Sequence, residues 1–353
     1  MPRPQPALRD RIDAWVLARV LRLPLRLQRV LAGRPVLRDG QTLDPETQLM
    51  LRLQRIAGDP GLSGSTIADI RRDTDRQTWL AGGRQPIGAV RDLQVPGAVG
   101  PLGARLYTPR SRVGGAEPAP LLFFVHGGGM VFGDLDSHDA TCRLLAERAD
   151  ALVLAVDYRL APEHPFPAAV EDCWAAFRYV AGHAASYGAD AGRIAIGGDS
   201  AGGTLSAVTA IRAAEEGVPL RFQLLVYPAT NMVEDSESRR LFGDGFFLTS
   251  EFVELAYASY VTGEHELKDP LVSVALTERF PAGLAPALVV TAGFDPLRDE
   301  GEAYARLLAD AGVRVELRRY PGLVLGFFNV VGVGRSSRAA VAEIAAKLKA
   351  ALH

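Results

Sequence analysis

Cysteine is scarce in this chain, and other features that would narrow its class at once are also missing. The two cysteines, Cys142 and Cys173, stand in unrelated contexts, so they form neither a disulfide framework nor a metal-binding spacing. No apolar run approaches the roughly 18 residues of a membrane span, and the N-terminus lacks the pattern of a signal peptide. We therefore expect two buried, reduced thiols in a cytoplasmic protein without stable membrane insertion.

An excess of charge of either sign is missing as well. The 39 basic and 41 acidic residues give a net charge of -2, so electrostatics give no reason to expect a nucleic-acid partner. No metal-ligand set and no nucleotide-binding fingerprint is present, and we expect no cofactor. What is present, 48% apolar and 23% charged residues in a chain of 353, is typical of one globular α/β enzyme with insertions.

The chain divides into two zones. Residues 1–85 have the pattern of helices separated by turns that contain proline and glycine, without a strand-like run. From residue 89 onward, short runs that are apolar on both sides alternate with helical stretches, which predicts a three-layer α/β sandwich around a mostly parallel sheet. The predicted strands are Ala89–Val95, Ala104–Thr108, Leu121–Val125, Leu152–Asp157, Arg193–Gly197, Phe222–Tyr227, Ala287–Thr291 and Arg314–Tyr320.

The alternation is interrupted once. Residues 229–274 contain no clear strand, but they contain the aromatic pair Phe246-Phe247 and a helix-like stretch at Glu251–Val261. We expect this insertion to pack over the working edge of a core formed by residues 86–353. Together with the helices of residues 1–85, it would form a cap above that core.

The segment Arg9–Gly33 has two interpretations. It mixes six arginines with apolar residues such as Trp15 and Val30, and Pro24 should break or kink it near the middle. A basic amphipathic helix of this kind can lie on an anionic membrane. The interpretation we favour is a helix whose apolar face packs on the rest of the protein while its arginines face solvent.

A glycine-rich turn surrounds Ser200. The chain has the sequence GDSAGG from Gly198 to Gly203, directly after an apolar strand and before a helical stretch. Small residues at Gly198 and Gly202 permit a sharp, strained turn that raises the serine Oγ above the sheet. The helix that follows would point its positive end at the reaction centre. An ordinary strand-to-helix turn is the alternative, but this placement favours a nucleophile.

A second glycine-rich stretch, HGGG, follows the strand LLFFV and begins at His126. We expect the amides of Gly128 and Gly129, together with that of Ala201, to hold the negative oxygen of a tetrahedral intermediate, while Gly127 shapes the turn of this oxyanion hole. His126 could act as a general base by its chemistry. Its position at the end of the strand instead favours a ring that hydrogen-bonds the loop and fixes its shape.

Apolar residues next to these glycines favour an acyl or alcohol group over the phosphate that such loops can also bind. Met130 and Phe132 follow the glycines, and no lysine or serine accompanies them. We expect Met130, Phe132, Phe246 and Phe247 to contact the substrate. Phe327 and Phe328 are further candidates, for which core packing is an equal or better explanation.

These motifs together resemble the bacterial branch of the hormone-sensitive-lipase family. The HGGG loop, the run YRLAPEHPFPAA at residues 158–169, the GDSAGG turn and the sequence DPLRD at residues 295–299 occur in the order of that family, over residues 85–350. The resemblance implies an α/β-hydrolase fold with a mostly parallel eight-stranded sheet and a helical cap. It also implies hydrolysis of short- to medium-chain esters through an acyl-serine intermediate, without a cofactor, and is compatible with a homodimer.

By the same resemblance Asp295 is the triad acid, which orients an imidazole and stabilises its charged form. Asp299 lies at the start of a helix, and we interpret it as a capping or first-turn carboxylate. The proline-rich stretch of residues 158–167 is expected to support the site.

The chain departs from the family at the position of the catalytic histidine. In the family this histidine precedes a Gly-Phe pair, and here Leu325 stands in that place. Only His353, the terminal residue, lies beyond Asp295 among the six histidines, and it is a poor candidate to reach the site. A serine hydroxyl is a weak nucleophile without an adjacent base. We therefore expect this chain to bind esters and turn them over very slowly.

Two explanations of Leu325 compete. One is an esterase that carries a single His-to-Leu replacement. The other is a non-catalytic protein that binds a small molecule on the same scaffold, as in the plant gibberellin receptors, which are similar to this family and have an apolar residue at this position. The retention of Ser200, Asp295 and the oxyanion glycines favours the esterase scaffold.

Overall fold

A computed structural model describes residues 8–58, 61–62 and 64–353, and its centre is an eight-stranded sheet flanked by helices. The strands in chain order are β1 (Leu37–Arg38), β2 (Gln41–Thr42), β3 (Ala89–Pro96), β4 (Pro101–Thr108), β5 (Ala119–Val125), β6 (Leu152–Val156), β7 (Ala189–Asp199), β8 (Phe222–Val226), β9 (Ala287–Phe294) and β10 (Val315–Val324). The large sheet has the order β10-β9-β8-β7-β5-β6-β4-β3. The predicted fold, an α/β-hydrolase sheet of eight mostly parallel strands, is confirmed.

Helices connect the strands and supply the N-terminal region. They are α1 (Leu8–Val20), α2 (Leu25–Ala32), α3 (Pro45–Ile56), α4 (Ile67–Gly82), α5 (Asp139–Ala149), α6 (Ala168–Gly182), α7 (Ala201–Glu215), α8 (Glu237–Phe242), α9 (Ser250–Tyr260), α10 (Arg298–Asp310) and α11 (Ser336–Leu352). None of the helices in the described part of the chain is long and apolar enough to cross a membrane.

Strand direction brings the candidate site residues to one edge of the sheet. Only β4 runs antiparallel to its neighbours, β3 and β6, and every other adjacent pair is parallel. The register pairs Val125 with Gly198 and Phe294 with Val324. The loops that follow β5, β7, β9 and β10 therefore start at the same carboxyl edge, where ligands bind in parallel α/β sheets.

The central strands form the core because both of their faces are apolar. All residues of β5, β6 and β9 are buried. Such strands are stable only when helices cover both sides of the sheet. The two cysteines are free and buried, as predicted.

The N-terminal zone departs from the prediction in two respects. First, it contains a short antiparallel pair, β1 and β2, which pairs Leu37 with Thr42, although no strand-like run is visible there. Second, Pro24 does divide the segment into two helices, but its apolar residues do not all pack inward: Val30 is 75% exposed and Trp15 is 60% exposed. The expectation that the apolar face of this segment packs on the protein is therefore wrong for these residues.

The insertion after β8 contains two helices, α8 and α9, and no strand among its described residues. Phe252 of α9 packs edge-to-face on Phe132, with ring centroids 5.7 Å apart. The carboxylate of Glu251 accepts a hydrogen bond from the Gly64 amide of the N-terminal region. The insertion and the N-terminal region thus meet beside the oxyanion loop, and their role as a cap stays a prediction.

Candidate active site

Ser200 occupies a strained backbone conformation at the junction of β7 and α7. Its φ is +52° and its ψ is -122°, in a region that L-residues other than glycine rarely adopt. A Cβ on either Gly198 or Gly202 would lie 2.1 Å from the carbonyl oxygen of Val125. Only glycine therefore permits the turn at these two positions, and the turn lies directly against the end of β5.

The backbone around Ser200 is fixed on both sides. The Ser200 amide donates to the carbonyl oxygen of Val226 at 2.8 Å, which ties the turn to β8. Ala201 is the first residue of α7, so its amide lies in the first helical turn, where no intrahelical acceptor exists. An amide in this position is available to a ligand above the serine.

The three glycines of the oxyanion loop have different roles. The Gly127 amide donates to the Asp199 carboxylate at 3.1 Å and is therefore engaged. Gly128 and Gly129 have φ values of +120° and +62°, and their amides donate to no acceptor in the part of the chain that the structure describes. A Cβ at Gly128 would lie 2.0 Å from the carbonyl oxygen of Phe132. The geometry is compatible with Gly128 and Gly129 as donors and with Gly127 as a structural residue.

His126 is bound into the loop. Its Nδ1 donates to the carbonyl oxygen of Gly127 at 2.8 Å, and its ring stacks on Tyr158 with centroids 4.3 Å apart. Burial lowers the pKa of His126 to about 4, so the ring is neutral. Because a carbonyl only accepts, Nδ1 carries the proton. These contacts are those of a residue that shapes the loop.

Asp295 is fully buried at the end of β9. One carboxylate oxygen accepts a hydrogen bond from the Leu297 amide at 2.9 Å, and the other, Oδ2, has no hydrogen-bond partner. Burial raises the pKa of Asp295 to about 8. A buried carboxyl oxygen without a donor is unusual, because buried polar groups are normally hydrogen-bonded.

Leu325 follows β10 at the level where Asp295 follows β9. The register pairs Phe294 with Val324, so the next residue of each strand, Asp295 and Leu325, leaves the sheet at the same level. Leu325 is 7% exposed and belongs to the main hydrophobic core. The side chain at position 325, where the sequence predicts the missing base, therefore offers neither a proton acceptor nor a proton donor.

The four predicted pocket residues do not share one environment. Phe247 packs on Gly326, since a Cβ added to this glycine would lie 2.9 Å from Cε1 of the phenylalanine. Phe247 therefore lies next to Leu325. Phe132 is half-buried. Met130 is buried, and Phe246 packs in a separate cluster against Phe294, with ring centroids 5.2 Å apart. Phe247 and Phe132 stay candidates for substrate contact, whereas Met130 and Phe246 are positioned as packing residues.

Phe327 and Phe328 are core residues. Phe327 contacts the rings of Tyr227 and Tyr320, and Phe328 is fully buried. The exposed His353 caps the end of α11 by donating its amide to the carbonyl oxygen of Lys349.

A buried polar network beneath Ser200 escaped the sequence interpretation. His138 Nε2 lies 3.1 Å from Asp199 Oδ1, and the Asn329 side-chain amide donates to Asp199 Oδ2 at 3.1 Å. Burial opposes ionisation of Asp199, but His138 and the Gly127 amide outweigh it and hold the pKa of this carboxyl below its usual value. The signal was the acidic residue inside GDSAGG, because a charge in a buried turn needs partners.

Arg71 of α4 connects the N-terminal region to the site. Its guanidinium donates to the carbonyl oxygens of Val131 and Ala161 at 2.7 and 2.8 Å and forms a two-pronged ion pair with Glu163. The Tyr158 hydroxyl donates to the carbonyl oxygen of His126 at 2.9 Å. Residues 158–167 thus contact the backbone of the oxyanion loop.

Asp299 is the second residue of α10, and its carboxylate accepts hydrogen bonds from the Ser238 amide and the Arg298 guanidinium. It is a first-turn carboxylate that also joins α10 to α8. Among the described residues, no group of three or more histidine, cysteine, aspartate or glutamate side chains could hold a metal ion.

A cleft of about 610 Å³ lies between the start of α4 and α9. Leu62, Ile67, Phe252 and Leu255 form its apolar side, and Arg71 and Glu163 contribute charge. A Cβ on Gly129 would lie 3.2 Å from the ring of Phe252, so the cleft adjoins the oxyanion loop.

The sheet order, the serine turn and the glycine loop define a class of proteins. A sequence profile described as the alpha/beta hydrolase fold matches residues 122–329, and the chain belongs to this family.

Several proteins similar to this chain are esterases by name. The chain is 46% identical over 94% of its length to the carboxylic ester hydrolase LipN of Mycobacterium tuberculosis, of which 89% is covered. It is 34% identical to an arylesterase of Saccharolobus solfataricus, with 87% of this chain and 98% of that one covered. The solved structure of an ester-hydrolase from the metagenome of Lake Arreo superimposes with a TM-score of 0.83 at 40% identity, covering 87% of this chain and 98% of that chain.

Proposed function

We propose that this chain is a serine carboxylesterase scaffold that binds short- to medium-chain acyl esters and turns them over slowly, because Leu325 replaces the triad base. One observation carries the proposal. Ser200 is held at a positive φ against the glycine loop, while the buried carboxyl of Asp295, next to Leu325, has an oxygen without a partner. The names of the relatives support the ester-hydrolase class.

The proposed reaction begins with attack of Ser200 Oγ on the ester carbonyl carbon. The amides of Gly128, Gly129 and Ala201 would hold the oxygen that becomes negative. In a complete triad, a histidine takes the serine proton as the bond forms and returns it to the leaving alcohol, while Asp295 stabilises the imidazolium. A leucine performs neither transfer. In a serine protease, loss of the base costs about a million-fold in rate, although roughly 10³–10⁴ over water remains.

Replacement of Leu325 by histidine tests the proposal. We expect Leu325→His to raise kcat for p-nitrophenyl butyrate by about 10³-fold or more. The added substitution Ser200→Ala should abolish the gain. Assays across acyl lengths would then establish the preference for chain length. Fast hydrolysis by the unmodified chain, at ordinary esterase rates, would show that Leu325 does not mark the place of the base.

A second candidate function is a non-catalytic receptor for a small molecule. It is favoured by the packing of Leu325, which is buried in the main core as an apolar residue would be in a site adapted to it. On this hypothesis the Leu325→His protein folds correctly but gains no activity. Both proteins would still bind a non-hydrolysable ester analogue.

A further inference from the structure

Helix α2 carries aliphatic side chains on its outer surface. Leu27, Val30 and Leu31, spaced i, i+3 and i+4, form one stripe, and their side chains are 50%, 75% and 45% exposed. Gln28 is instead fully buried, and its side-chain nitrogen donates to the carbonyl oxygen of Leu21 at 2.7 Å. A surface helix of a soluble protein normally buries its apolar face and exposes its polar face. In α2 a polar amide is buried and an aliphatic stripe is exposed, so the orientation is reversed.

Polar contacts hold α2 in this orientation. Arg52 donates to the carbonyl oxygen of Leu31 at 2.9 Å, and the Gln48 side chain donates to that of Ala32 at 3.0 Å. Ala32 also packs in a small cluster that includes Val333. The stripe faces outward because the fold fixes it there.

Arginines accompany the stripe. Arg22, Arg26 and Arg29 are exposed, and none has an acidic partner among the described residues. Up to Arg34 the sequence contains eight arginines and two aspartates, a net charge of +6. The whole chain has 39 basic and 41 acidic residues. The part after Arg34 therefore has 31 basic and 39 acidic residues, a net charge of -8.

Helix α1 adds aromatic surface of the same kind. Trp15 and Val16 are 60% and 45% exposed, and the guanidinium of Arg19 lies 5.2 Å from the centroid of the Trp15 ring. Tryptophan and arginine together are typical of helices that lie at a lipid–water interface.

We propose that this α1–α2 surface, the exposed side chains just described, docks the protein peripherally on an anionic lipid bilayer. The aliphatic stripe enters the boundary between headgroups and acyl chains, and the arginines contact anionic headgroups. A second copy of the chain is a poorer occupant of this surface, because symmetric pairing would bring two segments of +6 together. Exposed apolar patches on soluble proteins mark interaction sites.

The surface is connected to the candidate active site through the chain. Val330 and Val333 pack with the N-terminal helices. Both lie shortly after Leu325 in the chain. The docking proposal itself does not depend on ester hydrolysis.

Flotation of the full chain with vesicles of ether-linked phospholipids tests the proposal, since these lipids contain no ester on which the protein could act. We expect binding to phosphatidylcholine vesicles that contain phosphatidylglycerol, weak binding to phosphatidylcholine alone, and release by salt. Val30→Asp should reduce the bound fraction about ten-fold. Arg26→Glu combined with Arg29→Glu should reduce it at least about ten-fold.

Matched controls lie elsewhere on the surface. Val99→Asp alters a valine that is 81% exposed in the β3–β4 turn, and Arg178→Glu alters an exposed arginine of α6. Both should bind like the unmodified chain, and unchanged thermal midpoints would show that all variants fold. Equal binding by the Val30→Asp and Val99→Asp proteins would overturn the proposal. So would failure to bind anionic vesicles, including the case in which the chain instead self-associates through α2.

Discussion

Asp295, the proposed triad acid, is a buried carboxyl with one oxygen that has no hydrogen-bond partner. In a complete triad the carboxylate would accept a hydrogen bond from an imidazole, which favours its charged form. Here only the Leu297 amide donates to it, and burial raises the pKa of Asp295 to about 8. The carboxyl is then mostly neutral near pH 7, so on the proposed triad assignment the site lacks both the base and the negative charge of the acid.

A pH dependence of stability follows from this residue. From about pH 4 to about pH 8 the unfolded carboxyl is ionised while the folded one keeps its proton, so the folded state binds more protons and the free energy of unfolding falls as the pH rises. In urea unfolding we expect the free energy of unfolding of the unmodified chain to fall by roughly 2–4 kcal/mol between about pH 5 and about pH 8. The Asp295→Asn protein should not show this fall. The asparagine protein should be the more stable of the two at the alkaline end.

Asp310→Asn, at an exposed position in α10, is the matched control and should leave the slope unchanged. Leu325→His should flatten the slope, because an imidazolium next to Asp295 favours the carboxylate. Identical slopes for the unmodified chain and the Asp295→Asn protein would mean that Asp295 ionises freely in the folded state.

At the scale of the elements, the sequence pattern located all eight strands of the large sheet. The signal was clearest for β5, β6 and β9, because strands that are buried on both faces leave a continuous apolar signature. The ends were less predictable. Strand β10 continues to Val324 across an irregularity after Tyr320, although Pro321 and Gly322 indicate an end. Pairs as short as β1 and β2 have no periodicity at all.

The candidate site was predictable where local backbone chemistry dictates the residue type. Gly198 and Gly202 indicate the serine turn, because no other residue fits at these two positions. The partners of Asp199 could not be predicted in the same way, because His138 and Asn329 come from distant parts of the chain and meet only in the folded protein. The outward stripe on α2 was missed because a helical pattern does not say which face meets the protein.

Arg71 allows a test of how α4 supports the oxyanion loop. Arg71→Ala removes hydrogen bonds to two backbone carbonyls and an ion pair with the exposed Glu163, so we expect a loss of about 1–3 kcal/mol in the free energy of unfolding. Arg72→Ala is the control, because Arg72 is more exposed and its ion pair among the described residues is with Asp69 on its own helix. It should cost less than about 0.5 kcal/mol. Equal effects of the two substitutions would argue against support of the loop by α4.

At the scale of the whole molecule, hydrophobic packing is divided unequally. The main core includes residues from α4 to α11, whereas a small separate cluster fastens α1, α2 and α3 through Leu21, Ala32, Leu49 and Val333. Small clusters of this kind open with less free energy than a central core does. The N-terminal helices should therefore detach in local openings while the sheet that holds Ser200 stays folded.

Leu21→Ala and Leu122→Ala separate these two levels of stability, since both leucines are fully buried but belong to different clusters. Each substitution should lower the free energy of opening of its own cluster by about 2–5 kcal/mol. For Leu21→Ala we expect hydrogen exchange at least about ten-fold faster in α1 and α2, with the urea midpoint of the sheet nearly unchanged. For Leu122→Ala, in the middle of β5, the urea midpoint itself should fall. If Leu21→Ala lowers that midpoint as much as Leu122→Ala does, the N-terminal helices unfold together with the core, and membrane docking through them would then stabilise the whole chain.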